Sequence, residues 1–110
     1  MKLKLKLIRK AVAVGLVFSG LLSAGSTFAS EDLFKKSNCM ACHAIEQKRL
    51  GPSMKQVSAK YSGDSNAADR LAKKIQEGGV GVWGQMPMPP QLQVTEADAK
   101  ILAEYILTIQ

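Results

Sequence analysis

Both cysteines of this 110-residue chain and its single histidine lie within five consecutive residues, Cys39-Met40-Ala41-Cys42-His43. Paired cysteines at this spacing serve in disulfides, redox catalysis, metal sites or cofactor attachment. A disulfide between Cys39 and Cys42 would close a very small loop and would stabilise the chain little. A thioredoxin-like site needs a βαβ setting, which this sequence does not predict, and a structural zinc site needs about four ligands where this run offers three.

Covalent attachment of a haem accounts for all three residue types in the run. Two thiols one helical turn apart can bond to the vinyl groups of one haem, and the adjacent imidazole then lies over the iron. The motif therefore predicts thioether bonds at Cys39 and Cys42 and an axial iron ligand at His43. An attached cofactor would also help a domain of about eighty residues, whose hydrophobic core alone supplies little stability.

Residues 1–29 have the composition of a secretory signal peptide. A basic start at 1–10 precedes an apolar stretch at 11–24, and the small residues at 27–29 suit a signal peptidase. An uncleaved membrane anchor is the alternative, but about fourteen apolar residues are fewer than the roughly twenty that a spanning helix needs. We predict cleavage after Ala29, export to the periplasm and one folded domain at 30–110.

Removal of this leader changes the charge of the protein. The leader carries five of the 15 lysines and arginines and none of the nine acidic residues, so the formal charge of +6 falls to +1. Nucleic-acid binding needs a basic surface that releases counterions from the phosphates. The near-neutral domain gives no support to that class of function.

Apolar periodicity in residues 30–110 predicts an all-α domain without strands. The first helix, 31–38, places Leu33 and Phe34 on one side. A short helix opens at Pro52-Ser53, and a third at 67–77 follows an N-cap at Asn66 or Ser65. A final helix follows a capping sequence at 95–98 and carries one apolar stripe, listed along the chain as Ile101, Leu102, Tyr105, Ile106 and Ile109.

Residues 78–93 are rich in glycine and proline, which predicts a long loop with a functional role. A methionine sulfur is the natural second axial ligand for the iron. Met40 and Met54 lie close to His43 in sequence and therefore on the same side of the haem. Met86 and Met88 in the loop remain, and Met88 is favoured because the prolines on either side of it stiffen the chain.

These motifs resemble the short bacterial class I cytochromes c, which donate electrons to periplasmic reductases and terminal oxidases. The resemblance covers nearly all of residues 30–110 and is carried, in chain order, by Leu33-Phe34-Lys35, Cys39-Met40-Ala41-Cys42-His43-Ala44-Ile45, Leu50-Gly51-Pro52, Gly81-Val82-Trp83-Gly84 and Pro87-Met88-Pro89-Pro90. It implies a compact fold of four to five helices around one covalently bound haem c.

The resemblance also implies roles for particular residues. The first and last helices cross, with Phe34 and Tyr105 in contact. The Pro52 carbonyl binds the outer nitrogen of His43, and Trp83 donates to a haem propionate. Packing in the core is the alternative role for Trp83.

The sequence departs from the family pattern at two places. Asn38 stands where glycine is frequent, although asparagine tolerates a left-handed backbone. Met86 is an additional methionine beside the predicted ligand, so exchange between the two sulfurs is an open alternative.

An iron held by His43 and Met88 has no free coordination position, which predicts a soluble one-electron carrier rather than an enzyme. The expected partners are protein redox partners, such as a reductase, an oxidase or a cytochrome complex, with no stable membrane insertion and a monomeric carrier. A haem enzyme or gas sensor with an open sixth position is one alternative, and a haem-free thiol-redox or interaction module is the other. Basic residues form a candidate docking rim, or else solvated helix faces: Lys35, Lys36, Lys48, Arg49, Lys55, Lys73 and Lys74.

Overall fold

A computed structural model describes residues 25–110 of the chain, so most of the predicted signal peptide lies outside the described residues. The four α-helices are α1 (Gly25–Lys36), α2 (Met54–Lys60), α3 (Ala67–Glu77) and α4 (Glu96–Leu107). A single 3-10 turn at Cys39–Ala41 follows α1. Residues 25–110 contain no β-strand and only one isolated bridge, between Gly79 and Met88. The all-α prediction is confirmed.

Helix α1 begins earlier than predicted, at Gly25, and ends at Lys36. It therefore runs through the predicted cleavage point after Ala29, and cleavage there stays a prediction. Among the helices of residues 25–110, none is both long enough and apolar enough to cross a membrane.

Helix α1 packs against α4 in the hydrophobic core. The Phe34 side chain is 1% exposed. Its ring centroid lies 5.6 Å from that of Tyr105, with an interplanar angle of 54°. Tilted aromatic pairs at this separation add to the stability gained from burial. The contact implied by the resemblance is confirmed.

Helix α2 begins in a reciprocal capping box, which sets the chain direction just after Pro52. The Ser53 hydroxyl accepts from the Gln56 amide at 3.1 Å, and the Gln56 side chain accepts from the Ser53 amide at 2.9 Å. Met54 and Val57 bury the helix against the core. The Ser58 hydroxyl donates to the Leu107 carbonyl at 3.0 Å. Helix α2 is thus attached to α4 by packing and by a hydrogen bond.

Helix α3 has the predicted bounds and buries Leu71 and Ile75, as expected. Asn66 occupies the N-cap position, but its side chain makes no capping bond. Its backbone amide instead donates to the Asp64 side chain at 2.8 Å. The prediction is therefore correct in position, while the local hydrogen bond comes from an aspartate that precedes the cap.

Helix α4 is capped by the Thr95 hydroxyl, which accepts from the Asp98 amide at 3.1 Å. The predicted apolar stripe is wrong at Ile101, which is 42% exposed, and Ile109 packs against the core from beyond the end of the helix at Leu107. The buried residues of the helix are Ala99, Leu102, Ala103 and Ile106. Their spacing of three and four residues centres the buried face away from position 101, since successive residues turn by about 100°.

Candidate functional site

The cysteine motif begins at a backbone turn made by Asn38. This residue has φ 63° and ψ 22°, in the left-handed region, and is the one non-glycine of residues 25–110 with positive φ. Past it, the Cys42 and His43 amides donate to the Cys39 carbonyl at 3.3 Å and 3.0 Å. The two thiols and the imidazole are therefore carried on a single tight turn, which is the arrangement that the motif predicts.

Both cysteines are half-buried free thiols. Burial raises the pKa of the Cys39 thiol, and hydrogen bonding to the backbone offsets this only in part. Thiol-redox enzymes work in the opposite direction, because their reactive cysteine has a lowered pKa. The environment of Cys39 therefore does not favour the haem-free thiol-redox alternative.

The His43 ring is oriented from two sides. Its Nδ1 lies 2.7 Å from the Pro52 carbonyl oxygen. A carbonyl only accepts, so Nδ1 donates and carries the proton, which leaves the Nε2 lone pair for a metal. A Cβ placed on Gly51 would lie 2.4 Å from the Cε1 of His43. The backbone of residue 51 thus lies directly against the imidazole.

The segment between His43 and α2 is held by backbone bonds. The Gly51 amide donates to the Cys42 carbonyl at 2.9 Å, and the Met54 amide donates to the Ala44 carbonyl at 2.9 Å. These bonds fold the segment back onto the cysteine turn. The backbone that contacts the imidazole is therefore itself held in place, and this fixes the orientation of the ring.

Met88 is tied to the end of α3. The Gly79 amide donates to the Met88 carbonyl at 2.9 Å, and the Met88 amide donates to the Gly79 carbonyl at 2.8 Å. A Cβ on Gly78 would lie 2.2 Å from the Met88 carbonyl oxygen, so only glycine permits this approach. The Met88 side chain is half-buried and packs against the hydrophobic core.

The other methionines have different surroundings. Met86 is 62% exposed, although it lies only two residues from Met88. Met54 is 3% exposed and belongs to the core, and Met40 is 38% exposed. Of the two loop methionines, Met88 is the one whose backbone and side chain are both held by the rest of the fold.

Trp83 lies in the loop before Met88 and is 39% exposed. It is not among the residues of the hydrophobic core cluster, so core packing does not describe its position. The Lys60 ammonium, from the last residue of α2, lies 5.3 Å from the Trp83 ring centroid. Sequence reasoning missed Lys60 because no motif marks it and because 22 intervening residues separate it from Trp83.

Two glutamines of the segment after Met88 were also missed. The Gln93 side-chain amide donates to the Ser37 carbonyl at 3.3 Å and to the Gln91 side-chain oxygen at 3.0 Å. The Gln91 side-chain amide donates to the Pro89 carbonyl at 2.8 Å. These bonds connect the end of α1 with the residue that follows Met88, and no spacing rule in the sequence indicates them.

The donor types predicted for the site fit a haem. Two thiols, one imidazole nitrogen and one thioether sulfur match the attachment points and axial ligands of a haem c. Residues 25–110 contain no cluster of three or more His, Cys, Asp or Glu side chains that could hold a metal ion.

Comparison with known proteins agrees with this fit. The sequence model of the cytochrome c family matches residues 29–110. The chain is 53% identical over 92 residues to cytochrome c-552 of Nitrosomonas europaea, covering 84% of this chain and 89% of that protein. It is 56% identical over 78 residues to cytochrome c-551 of Azotobacter vinelandii, covering 71% of this chain and 94% of that protein.

The fold agrees as well. The crystal structure of wild-type Nitrosomonas europaea cytochrome c552 matches with a TM-score of 0.71 at 54% identity, covering 73% of this chain and 99% of that chain. The backbone of this chain thus follows the fold of that cytochrome over nearly its whole length. The chain therefore belongs to the cytochrome c family, among its small class I c-551 and c-552 members, and carries one covalently bound haem c.

Proposed function

We propose that this cytochrome is a one-electron carrier of the periplasm, cleaved after Ala29, with its haem attached at Cys39 and Cys42 and its iron held by His43 and Met88. When bound, the haem supplies reversible one-electron exchange at iron. The observation that carries the proposal is that both candidate iron donors are held by hydrogen bonds to the surrounding backbone. The His43 ring is held by the Pro52 carbonyl at 2.7 Å, and Met88 by its paired backbone bonds to Gly79 at 2.8 Å and 2.9 Å.

The two donors have complementary effects. The bond from Nδ1 of His43 to the Pro52 carbonyl fixes the tautomer and makes Nε2 a better donor. The Met88 sulfur is a soft donor that favours the ferrous state and raises the reduction potential. With both positions filled by protein, a substrate or gas would have to displace a ligand, which supports a carrier rather than an enzyme.

Trp83 completes the proposed haem contacts by donating its indole N–H to a propionate. Its place five residues before Met88, with 39% of its surface exposed, supports this role, because the indole N–H is a donor that is not enclosed in the hydrophobic core. In this proposal Trp83 contacts the haem directly, and Pro52 acts on it through His43. Cys39 and Cys42 make the covalent bonds.

Ion pairs distinguish the basic residues of the candidate docking rim from one another. Lys35 pairs with Glu31 at 2.6 Å, and Lys55 pairs with Glu46 at 3.0 Å, so their charges are partly offset. Within residues 25–110 the remaining candidates make no ion pair: Lys36, Lys48, Arg49, Lys73 and Lys74. We propose that Lys36, Lys48 and Arg49, which lie closest in sequence to the haem motif, steer an acidic partner.

Spectra of the exported protein test the ligand assignment. We would record the oxidised and reduced visible spectra of wild type, Met88→Ala and the matched variant Met86→Ala. We expect the weak long-wavelength band from sulfur to ferric iron to vanish in Met88→Ala alone. Loss in Met86→Ala instead would exchange the two assignments. A wild type that lacks the band and binds carbon monoxide readily would support the haem enzyme or gas sensor.

The mass of the exported protein tests the leader. Cleavage after Ala29 gives a chain that begins at Ser30 and carries the mass of one haem. An intact leader would support the membrane-anchor alternative.

The docking rim can be tested without knowing the partner. Oxidation by hexacyanoferrate(III), an anion, should be slower when Lys36, Lys48 and Arg49 are changed to glutamine. The difference should be largest at low salt, because screening weakens long-range attraction. Lys73→Gln is the control, since Lys73 lines a groove with Glu96 and Lys100 between α3 and α4. An unchanged rate and salt slope in the triple variant would contradict the rim.

A further inference from the structure

The contact between Lys60 and Trp83 joins the end of α2 to the loop that precedes Met88. The Lys60 ammonium lies 5.3 Å from the centroid of the indole ring. A lysine within about 6 Å of a tryptophan ring is attracted to its negative face. Lys60 makes no ion pair with any residue of 25–110, so the indole is its one charge-related contact in that range.

The segment 80–86, which carries Trp83, has little other support. Its one internal backbone bond runs from the Gly81 amide to the Gly84 carbonyl at 3.0 Å. Gly81 and Gly84 have φ of 102° and 114°, and a Cβ on either would meet nothing within 4 Å. These glycines therefore permit sharp turns without packing against the body of the protein. Within residues 25–110, no hydrogen bond or ion pair joins residues 80–86 to the rest of the chain, so the lysine contact is their one polar interaction with it.

Lys60, in contrast, stands on a firmly held helix. Helix α2 is anchored at its start by the buried Ser53 cap and in its middle by Val57, which is 6% exposed. The hydrogen bond from Ser58 to Leu107 attaches the same turn to α4. The lysine side chain therefore extends from a firmly held helix toward a loop whose backbone has few contacts with the rest of the protein.

We propose that Lys60 is a positioning residue, whose ammonium holds the Trp83 indole and through it the loop 80–86. The functional meaning of this inference rests on the proposed function, in which the Trp83 indole N–H donates to a haem propionate. The contact itself is independent of that role. Positive charge above the ring also polarises the indole, which strengthens N–H donation at the ring edge.

Exchange of the indole hydrogen measures the contact directly. The chain contains a single tryptophan, so its indole N–H gives one unambiguous resonance in the reduced, diamagnetic holoprotein. An exposed cation–π contact contributes enough to change the opening of the loop by about two- to fivefold. We expect Lys60→Met, which keeps the alkyl stem and removes the charge, to accelerate indole exchange by that factor.

Two further variants separate charge from shape. Lys60→Arg should restore slow exchange, because a guanidinium also stacks on an indole face. Lys73→Met, the matched control on an exposed lysine of α3, should leave the exchange rate unchanged. Equal exchange in wild type and Lys60→Met would overturn the proposal, and so would Lys60→Arg behaving like Lys60→Met.

The same samples keep this result separate from the proposed function. Haem absorbance and the sulfur-to-iron band report attachment and ligation, and they should be present in all of these variants. Loss of that band from wild type would contradict the proposed ligation and leave the measured Lys60 contact standing. Retention of the band with unchanged indole exchange would contradict only the positioning role.

Discussion

Gly78→Ala should detach the part of the loop 78–93 that carries Met88 from the end of α3. The backbone at Gly78 has φ 68° and ψ −157°, a region that is nearly restricted to glycine. The added Cβ would also lie 2.2 Å from the Met88 carbonyl oxygen, 2.8 Å from the Pro90 nitrogen and 2.9 Å from the Pro89 carbonyl carbon. All three of these atoms are backbone, so the contact cannot be relieved by rotating a side chain.

The size of the effect follows from two contributions. Holding alanine in this backbone region costs about 1–3 kcal/mol. Moving the loop away breaks the two hydrogen bonds between Gly79 and Met88, each of which contributes about 0.5–1.5 kcal/mol. The free energy of unfolding should therefore fall by about 2–6 kcal/mol, a large part of the roughly 5–15 kcal/mol typical of a domain.

The assay is guanidinium unfolding of the oxidised holoprotein, followed both by helicity and by the sulfur-to-iron band. Gly63→Ala is the matched control, because Gly63 has φ 81° and no atom within 4 Å of an added Cβ. Gly63→Ala should lower the free energy of unfolding by the backbone strain alone and should keep the sulfur-to-iron band at full intensity. If Gly78→Ala is no less stable than Gly63→Ala and retains the band, close approach of the loop to α3 does not hold Met88.

Three other perturbations test separate features of the fold. Gly51→Ala should push the His43 ring out of position, because the added Cβ would lie 2.4 Å from Cε1, and the yield of six-coordinate haem protein measures this. Leu102→Ala removes a fully buried side chain and should lower the free energy of unfolding by about 2–5 kcal/mol in denaturant titrations. Burial, and secondarily Glu31, raises the pKa of Tyr105 above 10.0. The folded state therefore binds the Tyr105 proton more tightly than the unfolded state does. The resulting stability is present below pH 10.0 and is lost as the pH rises through the raised pKa. The denaturation midpoint, measured against pH, would show this loss.

Each of these has its own control. A normal six-coordinate spectrum in Gly51→Ala would show that the segment between His43 and α2 shifts to accommodate the added Cβ. Ile101→Ala on the same helix should cost about 1 kcal/mol or less, because that side chain is 42% exposed, and equal losses at 101 and 102 would contradict the assignment of the buried face. Tyr105→Phe should flatten the alkaline decline, and an unchanged slope would assign the decline to other groups.

Local patterns were sufficient for most of the helices and for the haem motif. Helix α3 and the caps at Ser53 and Thr95 follow from periodicity and from side chains within a few residues of each other. The Cys39–Ala41 turn likewise depends on neighbours, with Asn38 supplying the left-handed residue. Such features are encoded within one or two turns of chain, so the sequence alone indicates them.

Local sequence patterns did not predict the early start of α1 or the exposure of Ile101. Propensity does not mark where α1 begins, since residues 25–30 resemble the small-residue end of a leader. The phase of the buried face of α4 depends on where α1, α2 and α3 pack against it. A stripe of five apolar residues allowed more than one phase, and packing selected the one centred on Leu102.

By itself, then, the sequence determined the helical class, the attachment turn and the chemistry of the donors, because each depends on residue type at short spacing. Tertiary structure decided which loop methionine is held against the core, why Gly78 cannot carry a side chain, and that Lys60 faces Trp83. These contacts join separate segments of the chain. Their geometry exists only once α2, α3 and the loop 78–93 are packed together.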